Sequence, residues 1–177
     1  MNKYNLRDYA YTAGCIDCDG WITIKKDKYG NKDKDRPRYR LTVGLNGKDG
    51  RVQQFLCGRW GGRITRRDAS ANDIKRGING TYVYQWEISE KQAAELLRKC
   101  LIFFKYKKEQ AEIALRLRTT VKQHGDKLSP REIQKREEIY QKLREAKQKF
   151  VIPVQVQRTS AITLSNESDA MFQTSGK

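Results

Sequence analysis

A chain of 177 residues and 20.7 kDa has room for one compact domain, with or without a tail, and excludes a multidomain machine. Its 37 Lys and Arg against 21 Asp and Glu leave a net charge of +16, a self-repulsion that a polyanionic partner would offset. Nucleic acid is the first candidate; a membrane is not expected, because no eighteen consecutive apolar residues and no signal-peptide layout occur.

In chain order, Tyr9-Ala10-Tyr11-Thr12-Ala13-Gly14-Cys15-Ile16-Asp17-Cys18-Asp19-Gly20 reads as a helix with Ala10, Ala13, Gly14 and Cys18 on one stripe of small residues. Such a stripe suits a second helix at close range. Asp19 falls at the helix C-terminus, where free carbonyls disfavour a carboxylate, and Gly20 fits a left-handed cap. A carboxylate there needs a cation. Were the partner the same helix of a second copy, two Asp19 side chains would meet across a two-fold axis and form a site for Mg²⁺.

Alternation in 21–25 and again in 38–43 predicts two strands with one apolar and one basic face, joined by a polar run from Asp27 to Pro37. A turn at 47–50 precedes a helix from about Arg51 to Trp60, ended by Gly61-Gly62. A short basic strand follows at 63–67, then a polar connection to Gly80 and a strand at 81–88 in which Tyr82, Tyr84, Trp86 and Ile88 alternate. Ser89 with Gln92 predicts a capping box for a helix from Lys91 to Cys100. Two longer helices are expected, from about Lys107 to Gln123 and from Pro130 to about Lys149, before a loosely ordered or add-on tail at 151–177.

The fold class is therefore α+β, an αββαββα core with a four-stranded antiparallel sheet and additional C-terminal helices, in a domain spanning 1–150. Residues 21–76 hold 16 basic and 6 acidic residues, and residues 101–149 hold 14 and 7, so the charge falls on the sheet and on the later helices separately. Cys15, Cys18, Cys57 and Cys100 read as small buried thiols of a reducing, intracellular compartment, whether organelle or prokaryotic or phage cytoplasm, and not as a zinc set. His124 reads as a solvated residue at a helix end.

Residues 12–20 resemble the LAGLIDADG motif of the homing endonucleases, departing from its nine letters at the first, fourth and seventh, and the sequel of strands and helices matches that family's core over about residues 4–123. No second copy of the motif is present, which resembles the short, single-motif, homodimeric members.

The resemblance implies a metal-dependent DNA endonuclease, encoded in a mobile intron. It would cut both strands of a long, roughly palindromic site across the minor groove and leave short 3′ overhangs. It implies Mg²⁺, or Mn²⁺, with Ca²⁺ in a bound, non-cleaving complex, held by Asp19 and the Gly20 carbonyl. It matches Asn46, or less closely Lys48, to a water-positioning residue, Arg51 to a phosphate-stabilising one, and Lys107 to a catalytic lysine. Dimer contacts would come from Ala10, Ala13, Gly14, Asp17 and Cys18. DNA contacts in the major groove would come from Thr23, Lys25, Arg38, Arg40, Thr42, Lys48, Arg66, Asp68 and Gln85, the strand positions being chosen by alternation. A maturase-like or architectural nucleic-acid binder on the same scaffold is the alternative.

Overall fold

The structure, a computed structural model, describes residues 5–28, 37–71, 82–120 and 129–149. The elements run α1 (Leu6–Asp19), β1 (Gly20–Lys28), β2 (Pro37–Gly47), α2 (Arg51–Trp60), β3 (Arg63–Asp68), β4 (Tyr82–Ser89) and α3 (Glu90–Cys100). A 3₁₀ turn at Leu101–Phe103 then leads to α4 (Lys108–Thr119) and α5 (Pro130–Gln148). This is the αββαββα order with added helices. The four strands form one antiparallel sheet in the order β1-β2-β4-β3. His124, the polar connections after Lys28 and before Tyr82, and the tail lie outside the described residues.

One face of the sheet carries the core. Ile22 and Ile24 of β1, Leu41, Val43 and Leu45 of β2, and Trp86 and Ile88 of β4 are all buried in a single cluster. Ile16, Leu56, Leu96, Leu97, Leu117 and Leu143 join them from the five helices. Because side chains alternate along a strand, covering this face with helices leaves the opposite one bare.

Polar ties orient the helices. Ser129 and Glu132 form the expected capping box of α5, with Pro130 in its first turn. The expected box at Ser89 is not made. Glu90 adopts φ 53, a left-handed step that turns the chain from strand into α3, and Ser89 makes no side-chain cap bond. Arg118 of α4 holds the Glu90 carboxylate at 2.6 Å. Arg136 of α5 is buried and donates to Thr120 Oγ1 at 3.1 Å and to the Thr120 carbonyl at 2.7 Å, fixing α5 against the end of α4.

On the helix-covered side of the sheet, the Glu137 carboxylate of α5 accepts from Lys26 at 2.7 Å, from Gln141 at 2.7 Å and from the Tyr39 hydroxyl. Burial opposes the Glu137 charge, but these donors outweigh it and hold the carboxyl down at about 2.

Of the four free thiols only Cys100 is fully buried, its pKa pushed up to about 12 by that burial. Cys18 is exposed, contrary to the expectation of four core thiols, because it faces outward on α1.

Candidate functional site

The end of α1 is tied by five hydrogen bonds to residues 105–107. Its last turn holds no basic residue of its own, so the negative end of the helix dipole is uncompensated locally. The cation arrives from ninety residues downstream. Lys107 Nζ donates to the Ile16 carbonyl at 2.6 Å and to the Asp17 carbonyl. The Asp17 carboxylate returns the tie, accepting from the backbone N–H groups of Lys105 at 2.7 Å, Tyr106 at 3.3 Å and Lys107 at 2.9 Å. Asp17, expected at a dimer contact, is thus occupied within its own chain, organising the approach to α4.

Burial lowers the Lys107 pKa from its ordinary value, and the neighbouring Asp17, Cys18 and Asp19 oppose that shift. Sequence reasoning missed Lys147. This lysine, in the last turn of α5, is likewise lowered by burial and then by the charge of Lys107. Lys149 lies 3.9 Å from Glu109 in the first turn of α4, which brings the end of α5 to the start of α4. No local sequence signal marks Lys147, since its position depends on how α5 docks.

Asp19 is the last residue of α1 and is exposed. Gly20 follows at φ −86, ψ 177, extended and not left-handed as expected. Glycine is needed there for room: a Cβ would lie 2.7 Å from the Ile16 Cα and 2.9 Å from the Gly44 oxygen. Strand β1 therefore leaves α1 without a loop. Its ladder opens at Gly20 opposite Leu45, which sets Asn46 at the same end of the sheet as Asp19. The Asn46 Oδ1 atom is buried with no hydrogen-bond partner.

Arg51 is the first residue of α2. Its side chain is 85% exposed and is held by Asp49 at 2.6 Å, at the start of α2. Lys48 is exposed in the turn before it. Among the described residues no three His, Cys, Asp or Glu side chains gather into a metal site. Asp19 offers one carboxylate per chain. Such a hard oxygen donor suits Mg²⁺ or Ca²⁺ as part of a coordination sphere that water, phosphate and a second carboxylate would complete.

The outward stripe of α1 runs through Leu6, Ala10, Gly14 and Cys18, all exposed at successive steps of four residues. Ala13, expected on it, is instead fully buried in the core beside Ile16. A Cβ at Gly14 would meet nothing within 4 Å. Tyr11, half exposed, stacks edge-on against Phe55 of α2 at 5.1 Å and borders the stripe.

The bare face of the sheet follows from the register. Opposite the buried Ile22 and Ile24 lie Trp21, Thr23, Lys25 and Asp27. On β2 that face carries Arg38, Arg40, Thr42, Gly44 and Asn46, and on β4 Val83, Gln85, Glu87 and Ser89. Strand β3 contributes Arg63, Thr65 and Arg67.

Thr23, Lys25, Arg38, Arg40 and Gln85 therefore stand where alternation placed them. Arg66 and Asp68 do not. They pair with Tyr84 and Tyr82 on the helix-side face, where the Arg66 guanidinium lies 4.0 Å from the Tyr82 ring centroid. Three of the five residues 63–67 are arginines and Ile64 alone is apolar, a thin local signal for the core face; pairing with β4, which sets Ile64 opposite the buried Trp86, decides it. Thr42 is on the bare face but fully buried, in the middle of the central strand. The Trp21 indole lies over Gly44, where a Cβ would come within 2.3 Å of the ring.

This face is cationic. Asp27 and Glu87 are its two carboxylates among the described strand residues, and each is paired, Asp27 with Arg40 at 3.2 Å and Glu87 with Lys25 at 2.7 Å. No helix of the described residues is long and apolar enough to cross a membrane.

Neither a protein-family model nor a curated protein matches the chain. Solved structures do. The homing endonuclease I-CvuI, in complex with its target in the presence of Ca, superposes with a TM-score of 0.62 at 17% identity, covering 80% of this chain and 85% of that one. The archaeal intron-encoded homing endonuclease I-Vdi141I, complexed with DNA, matches at 0.62 and 16%, covering 79% and 84%. The meganuclease I-SmaMI bound to uncleaveable DNA matches at 0.55 and 15%; 79% of this chain covers 45% of that chain, about half its length. At these identities the likeness is one of architecture: this chain has the fold of the LAGLIDADG homing endonucleases.

Proposed function

We propose that this chain is a homodimeric, sequence-specific DNA endonuclease that makes double-strand breaks in a long, roughly palindromic site, with a divalent metal ion, and that it serves intron homing. The observation that carries the reading is the placement of Asp19. It is an exposed carboxylate at the end of a helix whose outward stripe is small enough to meet a second copy, at one end of a bare cationic sheet. The I-CvuI, I-Vdi141I and I-SmaMI structures named above were solved as DNA complexes, and I-CvuI also with Mg and uncleaved DNA.

Asp19 and its mate from a second copy would hold the ion, which supplies charge neutralisation at the scissile phosphate and an activated water. Lys107 acts through position and field. Its ammonium fixes the last turn of α1, and its charge favours the anionic phosphate beside Asp19. The unpartnered Oδ1 of Asn46 is the acceptor that would orient a water. The basic side chains of the bare face would grip backbone and read base edges in the major groove.

Incubation with a randomised duplex library and Mg²⁺, followed by sequencing of the new ends, tests the reading. Breaks in both strands at symmetric sites, abolished by chelation, are expected. Tight binding without cutting under Mg²⁺ or Mn²⁺ would instead assign the chain to non-cleaving binders on this scaffold.

A further inference from the structure

The bare sheet face contains an arrangement that general basicity does not explain. Lys25 of β1 and Glu87 of β4 are separated by the whole of β2, and their register levels differ: Lys25 stands opposite Arg40, Glu87 opposite Gly44. Their side chains nevertheless meet, Lys25 Nζ donating to both carboxylate oxygens at 2.9 and 2.7 Å. The midpoint of that span is the position of Thr42, which is small and fully buried. The pair thus crosses the centre of the sheet at the rim of a shallow depression also lined by Arg63, Thr65, Gln85 and Ser89.

An acid at the centre of a polyanion-binding face repels phosphate, and a surface ion pair adds little stability to justify it. The side chains keep 37% and 26% of their exposure, so a ligand can reach both.

We propose that Lys25 and Glu87 act as one unit that reads a single G·C base pair in the major groove, an inference that rests on the DNA-binding reading above. Guanine presents two acceptors, N7 and O6, and its cytosine presents the N4 amino donor beside O6. A donor and an acceptor already 2.7 Å apart match adjacent O6 and N4. The ammonium bridges N7 and O6, the carboxylate accepts from N4, and the ion pair stays intact, so neither charge is stranded on desolvation. A T·A pair keeps an acceptor (O4) and an amino donor (N6) at the two central positions but places its methyl group where the ammonium would find N7, and an A·T pair sets its amino group against the ammonium and O4 against the carboxylate. Reversing the G·C pair sets ammonium against amino group. A preference of about 5- to 150-fold over other pairs is the range for a good two-point contact.

The test is selection of bound duplexes from a randomised library by the wild type, Lys25→Met, Glu87→Gln and the double variant, with base preference read at each position. One G·C position, and its symmetry mate if two copies bind, loses its preference in either single variant, and the double variant loses no more. Replacing that guanine by 7-deazaguanine weakens the wild type but not Lys25→Met. Preferences unchanged in the single variants, relaxed at two different positions, or replaced by a uniform gain in affinity for Glu87→Gln would each overturn the proposal. Failure of the wild type to enrich any duplex would overturn the DNA-binding reading itself, an outcome distinct from enrichment without a Lys25- and Glu87-dependent position.

Discussion

The ammonium of Lys107 lies 2.6 Å from the carbonyl oxygen of Ile16, so the negative end of α1 is capped by a residue 91 positions further along the chain. The bond joins the start of α4 to the turn that presents Asp19. A Lys107→Met variant leaves the Ile16 and Asp17 carbonyls without this donor and is expected to lose about 1–3 kcal/mol of stability, the range for charge-assisted bonds. Urea unfolding measures it; unchanged stability would show that the ammonium does not brace the helix.

Asp17 is the reciprocal brace, with three backbone N–H groups on its carboxylate. Asp17→Ala is expected to lower the urea midpoint by an amount worth about 1–2 kcal/mol, because three backbone N–H groups, that of Lys107 part-buried, lose a charged acceptor. Sedimentation should show self-association unchanged, whereas a side chain serving chiefly at a dimer contact would give the opposite pattern.

Acid stability should depend on Glu137. Its folded pKa of about 2 lies below the ordinary 4.5, so the folded state releases the proton more readily than the unfolded one. The contribution is present above about pH 4.5 and is lost as pH falls toward 2. With the group partly exposed, screening reduces it to about 1–2 kcal/mol. Glu137→Gln should flatten this part of a stability-against-pH curve; a slope equal to the wild type would assign acid unfolding to other groups.

Much of this architecture was legible because its signals are local. Apolar alternation in 21–25 and 38–43, the Ser129-Pro130-Glu132 start of α5 and the glycines after Trp60 each specify structure within a few residues. The small-residue helix ending in Asp19 was legible for the same reason. What stayed hidden depends on distant partners. Ala13 and Gly14 look alike in sequence, yet only Ala13 faces the core. Asp17 and Lys147 acquire their surroundings from α4 and α5, and the face of β3 is set by pairing with β4.

That pairing gives a sharp contrast in binding. Arg63 stands on the bare face and Arg66 on the other, against Tyr82. In titrations of duplex DNA at several salt concentrations, Arg63→Ala should reduce the slope of log affinity against log salt by roughly 1, the loss of one phosphate contact. Arg66→Ala should leave the slope unchanged. The reverse ranking would mean that β3 meets DNA through its other face.

Asp19 remains the decisive residue, a carboxylate in a strongly basic chain. The most direct measurement compares wild type and Asp19→Asn on one selected duplex with Mg²⁺, following binding and double-strand cleavage together. Cleavage should fall at least about 100-fold, matching the loss of a metal ligand worth several kcal/mol in the transition state, while binding persists. Cleavage by Asp19→Asn at the wild-type rate would contradict the proposed active site.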